Sequence, residues 1–109
     1  MQRHFNFLLI DDDEICLFIH KRVLELSGYG DHVRVAHNGS HALEVLQGSN
    51  SLPDIILLDL DMPVMNGIQF LEAFRNLDLP GKERVEIVVV TSSVSERDRR
   101  QAMVYGVSK

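Results

Sequence analysis

Phe5-Asn6-Phe7-Leu8-Leu9-Ile10 runs directly into Asp11-Asp12-Asp13-Glu14, and Ile55-Ile56-Leu57-Leu58 runs into Asp59-Leu60-Asp61-Met62-Pro63. Short apolar runs of this length, rich in Ile, Leu and Phe, read as strands buried on both faces. In a parallel sheet both strands would deliver their acids to one carboxyl edge, the edge where open α/β folds bind ligands. Carboxylates gathered there repel by roughly 4 kcal/mol per pair at about 4 Å and an effective dielectric near 20. A hard divalent cation offsets that repulsion, and Mg²⁺, with its preference for oxygen, suits the donors best.

Working outward, Ile15, Phe18, Ile19, Val23, Leu24 and Leu26 recur at helical spacing up to Ser27-Gly28, a helix stop. His32-Val33-Arg34-Val35-Ala36 alternates as a strand does. Asn38-Gly39 breaks the chain, and Ala42, Leu43, Val45 and Leu46 predict a short helix ending near Gly48. Asn66-Gly67-Ile68-Gln69 can cap a third helix carrying Phe70, Leu71 and Phe74. After a polar loop around Pro80-Gly81, Val85-Glu86-Ile87-Val88-Val89-Val90 is the clearest strand signal in the chain. Ser93 and Glu96 then form a capping box that opens a fourth helix. Four strand–helix units in succession imply a parallel sheet with helices on both faces.

The bulk properties narrow the function. With 109 residues, 45% hydrophobic and 25% charged, the chain is one ordinary globular domain. Its net charge of −5 argues against direct nucleic-acid binding. Arg97, Arg99 and Arg100 form a short run interrupted by Asp98, best read as a solvated helix face. The single cysteine, Cys16, rules out an internal disulfide and suits a reducing cytoplasm; its apolar neighbours suggest a buried core thiol. The apolar run at the N-terminus is too short for a signal peptide or a membrane span. No Gly-x-x-x-x-Gly-Lys pattern is present. His37, His41 and Glu44 have metal-face spacing, but the Asn38-Gly39 break separates the two histidines, and a solvated surface is expected. Asp13 and Glu14 favour a helix start rather than a metal.

The fourth strand ends in Thr91-Ser92-Ser93, a hydroxyl group in register with the two acidic strand ends. At Asp11-Asp12, Asp59, Met62-Pro63, Asn66-Gly67 and Thr91, in that order, the chain resembles the receiver domain of two-component response regulators. The resemblance implies a flavodoxin-like, doubly wound sheet of order 2-1-3-4, with residues 1–109 as one receiver domain. It implies that Asp59 is the phosphoacceptor for a phosphoryl group carried on a histidine kinase or histidine phosphotransfer protein. It also implies that Asp12, Asp11, Asp59 and the backbone carbonyl of Asp61 hold Mg²⁺, and that Thr91 hydrogen-bonds the aspartyl phosphate and couples it to the fourth-helix surface. Such a domain is a cytoplasmic signalling switch that assists its own phosphorylation and dephosphorylation, not an enzyme acting on a separate substrate. It neither binds nucleic acid nor enters a membrane.

Two departures from the family pattern are expected to matter. The family's lysine after a fifth strand would fall just beyond Lys109, and Tyr105 lies on the wrong side of the turn to replace that strand's aromatic residue. The fifth strand and helix are therefore expected to be missing, a C-terminal truncation that leaves the Val85–Val90 strand as an apolar edge open to pairing with a second copy. Asp61, two residues after the acceptor, is expected to tune the lifetime of the phosphate. Two other readings stand beside this one. Asp59-x-Asp61 also resembles the nucleophile motif of haloacid-dehalogenase-like phosphatases, although that motif belongs on a first strand. The domain could also be a receiver-like binding module that works without phosphate.

Overall fold

The computed structural model describes residues 5–28, 30–48, 51–59 and 65–89. They form β1 (Phe5–Ile10), α1 (Glu14–Ser27), β2 (Gly30–Ala36), α2 (Gly39–Gln47), β3 (Ile55–Leu58), α3 (Gly67–Asn76), a single 3₁₀ turn (Lys82–Arg84) and β4 (Glu86–Val89). The strands lie in the order β2-β1-β3-β4, and every neighbouring pair is parallel. The sheet thus has the expected order. Thr91, Asp61, Met62-Pro63 and the fourth helix lie outside the described residues.

Period-two alternation sorts the strand side chains onto two faces. Leu8, Ile10, Ile56, Leu58 and Ile87 pack beneath α2 and α3, against Ala42, Leu46, Phe70, Leu71 and Phe74. Phe7 and Leu9 face the other way, where Leu17 and Leu24 of α1 meet them with Val33, Val35, Ile55 and Leu57. From Phe7 to Ile10, β1 is therefore buried on both sides, as that apolar run predicts. In β3 only Ile56 and Leu58 are fully buried; Ile55 and Leu57, on the α1 face, are half-buried.

Local chemistry sets the helix ends. The Asp13 carboxylate caps α1 by accepting from the Ile15 N–H at 2.9 Å, and Gly28 closes that helix at φ +79°, a conformation that suits glycine. Asn66 and Gln69 form a reciprocal capping box at the start of α3, each side chain accepting the other's N–H at 2.9 Å. The far end of α3 is held by Lys82, whose ammonium donates to the carbonyls of Phe74, Arg75 and Leu77 at 3.3, 2.5 and 2.6 Å.

Two expectations are corrected. Cys16 is half-buried rather than sealed in the core, and its thiol donates to Asp13 Oδ2 at 3.5 Å because it sits on the capped first turn of α1. The helical spacing of Ile15, Phe18, Ile19, Val23 and Leu26 marks an exposed stripe, with Ile15 71% and Phe18 70% exposed, while Leu17 and Leu24 face the sheet. Among the described residues no helix is long and apolar enough to cross a membrane.

Candidate functional site

The strand register brings the acids together. Ile10 pairs with Leu58 and with Ala36, so the residues that follow β1, β2 and β3 leave the sheet at one level. Two backbone bonds extend this alignment one residue further: the Asp11 N–H donates to the Ala36 carbonyl at 3.1 Å, and the Asp59 N–H to the Ile10 carbonyl at 2.9 Å. Asp11 and Asp59 are thereby fixed side by side, although 48 positions separate them in the chain. One carboxylate oxygen from each of Asp11, Asp12 and Asp59 lies within 4.8 Å of the other two.

The three acids differ in environment. Asp11 is buried, 7% exposed; Asp59 is half-buried and Asp12 exposed. Burial pushes the Asp11 carboxyl above the ordinary carboxylate range. The Asp13 N–H, donating to Asp11 Oδ1 at 2.9 Å, pulls it back down, while the charge of Asp59, a hydrogen bond to Asp59 and the charge of Asp12 add to the rise. Asp13 itself is pulled below the usual range by the N–H groups of Ile15 and Cys16, which commit it to the helix start. Its cap role agrees with the sequence reading and leaves Asp11, Asp12 and Asp59 as the cluster.

An all-oxygen donor set from carboxylates suits a hard cation, and the exposure of Asp12 leaves room for coordinated water, which Mg²⁺ retains. Asp61 and Thr91, the other expected site residues, lie outside the described residues. His37 precedes α2 and His41 lies within it, as the Asn38-Gly39 break predicts. Their rings stack at 5.6 Å, and the His37 N–H donates to His41 Nδ1 at 3.2 Å. Among the described residues no third ligand joins them, and the only cluster of three candidate metal ligands is Asp11, Asp12 and Asp59. A groove of about 340 Å³ lies at the opposite edge of the sheet, beside Pro53, Asp54 and Arg84, away from the acids.

Sequence reading missed one contact next to this site: the Gly39 N–H donates to the Met65 carbonyl at 3.1 Å, joining the start of α2 to the approach to α3. Asn38-Gly39 looks like a simple break in the chain, and no local pattern pairs it with Met65.

Residues 7–109 match the family model of the response regulator receiver domain. The chain is 38% identical over 94 residues to the transcriptional regulatory protein CpxR of Escherichia coli, covering 86% of this chain and 36% of that protein. It is 32% identical over 101 residues to two-component response regulator 24 of Arabidopsis thaliana, covering 93% of this chain and 68% of that protein. The phosphorylated cyanobacterial phytochrome response regulator RcpA superposes with a TM-score of 0.84 at 25% identity, covering 96% of this chain and 77% of that one. A two-component response regulator from Legionella pneumophila gives 0.79 at 30% identity, covering 94% of this chain and 81% of that one. The chain spans about a third of the length of CpxR.

Proposed function

This chain belongs to the response regulator receiver domain family of two-component signalling, and we propose that it is a phosphoacceptor switch in which Asp59 takes the phosphoryl group. The observation that carries this reading is the meeting of the Asp11, Asp12 and Asp59 carboxylates within 4.8 Å at the ends of two adjacent parallel strands. Membership of the receiver family favours it over the phosphatase reading of Asp59 and Asp61.

The chemistry asks for positioning and charge neutralisation, with little covalent work from the protein. The Asp59 backbone is tied to β1, so its carboxylate is aimed before the donor arrives. An Asp59 oxygen attacks phosphorus and a P–O bond forms; the P–N bond to the donor histidine breaks, and the imidazole leaves with the electron pair and takes up a proton. Asp11, Asp12, Asp59 and the backbone carbonyl of Asp61 would hold Mg²⁺, which when bound neutralises charge on the phosphoryl oxygens. The Thr91 hydroxyl would donate to the new phosphate. Where Asp59 carried one negative charge the acyl phosphate carries about two, enough to draw a hydroxyl inward and reorder a neighbouring surface, here that of the fourth helix.

The donor is a histidine kinase or histidine phosphotransfer protein, acting in a reducing cytoplasm. Any protein that brings a histidine to Asp59 must rest on the surface next to the acids. The exposed stripe on α1 starts there, with Ile15 three residues after Asp12, followed by Phe18 and Ile19. It offers such a donor an apolar helical face.

The test is incubation of the full chain with acetyl phosphate and Mg²⁺ followed by intact mass measurement. A gain of one phosphoryl mass, absent in Asp59→Ala, is expected. No gain in the unaltered protein would leave the phosphate-independent binding module; turnover of an added phosphoester would point to the phosphatase.

A further inference from the structure

Asp11 is anchored through its main chain and, separately, through its side chain. Its backbone N–H donates to the Ala36 carbonyl at 3.1 Å, which fixes the chain just past the end of β1. Its carboxylate is held by the Asp13 N–H, which donates to Asp11 Oδ1 at 2.9 Å. That bond sets the direction of a buried carboxylate, one with little water to turn towards. Asp12, the exposed acid, is carried between the two anchored residues.

The Asp13 N–H can aim Asp11 only while Asp13 itself stays in place, and its own side chain sees to that. Asp13 has extended backbone angles, φ −90° and ψ 108°, and its Oδ1 accepts the N–H groups of Ile15 at 2.9 Å and Cys16 at 3.4 Å. Its Oδ2 accepts the Cys16 thiol at 3.5 Å, and its carbonyl accepts the Leu17 N–H at 3.0 Å. Both carboxylate oxygens are thus engaged with the first turn of α1, and Asp13 is not among the three acids that gather within 4.8 Å. α1 is in turn seated on the sheet, where Leu17 and Leu24 pack against Phe7 and Leu9 of β1. The Asp11 carboxylate therefore takes its direction from α1 as well as from the strand that carries it.

We propose that Asp13 is a positioning residue for the cation site: its side chain, by capping α1, fixes the N–H that aims the Asp11 carboxylate. Asp13 does this without touching the cation. The inference rests on the reading of Asp11, Asp12 and Asp59 as Mg²⁺ ligands given above. Asn caps a helix about as well as Asp, and Ala caps it poorly, so the capping role can be separated from the charge of Asp13. Loss of a hydrogen bond that orients a ligating carboxylate lowers metal affinity by about tenfold in other sites.

The experiment titrates the full chain, labelled with ¹⁵N and ¹³C, with Mg²⁺ alone and follows the Asp12 and Asp59 amides by NMR. In Asp13→Ala, shown to be folded by circular dichroism, the Mg²⁺ Kd should rise by about tenfold, while Asp13→Asn should bind as the unaltered chain does. The scalar coupling across the hydrogen bond from the Asp13 nitrogen to the Asp11 carboxylate carbon reads the contact directly, before Mg²⁺ is added. It should be present in the unaltered chain and at residue 13 of Asp13→Asn, and lost in Asp13→Ala. If Asp13→Ala keeps the coupling or binds Mg²⁺ unchanged, or if Asp13→Asn weakens binding as much as Asp13→Ala, the inference is overturned and the cation site stands. If neither Asp12 nor Asp59 titrates in the unaltered chain, the cation reading fails and takes the inference with it. Should Asp13→Ala fail to fold, Asp13→Gly, which removes the same acceptor at a smaller cost to the helix, is read by the same criteria.

Discussion

Asp11→Asn should make the chain more stable in Mg²⁺-free buffer near neutral pH, although it removes a residue proposed to bind metal. Asp11 is nearly buried and faces two other carboxylates within 4.8 Å. At that distance and an effective dielectric near 20, each ionised pair would repel by about 3.5 kcal/mol. Asp12 is exposed and Asp59 half-exposed, so water screens most of this, and a gain of about 1–2 kcal/mol is the reasonable expectation. The substitution is otherwise quiet, because the asparagine oxygen can still accept the Asp13 N–H.

The pH dependence has a definite sign. The folded-state pKa of Asp11 is raised above 3.8, so the folded chain holds this proton more tightly than the unfolded chain does. That contribution to stability is complete below 3.8 and is lost as pH rises through the raised value, so at neutral pH the ionised group is a burden that asparagine removes. Urea unfolding followed by circular dichroism measures this directly, with an expected midpoint increase on the order of 1 M for a slope near 1 kcal/mol/M. The advantage of Asp11→Asn should shrink in acid and also in saturating Mg²⁺, which stabilises only a chain that binds it. An Asp11→Asn chain no more stable than the parent without Mg²⁺, or a difference indifferent to both pH and Mg²⁺, would refute the argument from crowded charge.

Asp61→Asn should change the half-life of the phosphorylated chain, followed by loss of the phosphoryl mass with time; an unchanged half-life removes its carboxylate from any part in hydrolysis. Lys82→Met should lower stability by about 1–2 kcal/mol in urea unfolding, because three carbonyls at the end of α3 lose a charged donor. Phe70→Ala should cost about 3–5 kcal/mol by the same measurement, since the ring is fully buried against Phe74 between α3 and the sheet. If the β4 edge pairs with a second copy, light scattering should show dimers whose fraction grows with concentration; monomers throughout would dismiss that pairing.

Much of this molecule is legible along the chain. β1 and β3 are visible as apolar runs, their acids as the abrupt ends of those runs, and α3 as the Asn66–Gln69 box followed by Phe70, Leu71 and Phe74. Each of these signals lies within about one turn or a few residues, where backbone geometry and neighbouring side chains decide the outcome. The site was legible for a related reason. In a parallel sheet, strand ends share an edge, so two acid-ended strands suffice to bring Asp11 and Asp59 together.

Other features depended on packing between elements far apart in sequence. Helical spacing alone could show that α1 is two-sided in its apolar residues, but not that Leu17 and Leu24 meet the sheet while Ile15, Phe18 and Leu26 face outward. The half-buried Cys16, the reach of Lys82 to the end of α3 and the seating of Met65 on Gly39 likewise had no local signature. Periodicity and capping are properties of neighbouring residues, so they are written in the chain, and with them the parallel sheet and its acidic edge. Which helix face is covered, and which distant carbonyl fills the space a glycine leaves, is decided when close-packed elements compete for the same volume. For that reason the acids could be identified before folding, and the contact between Gly39 and Met65 only after it.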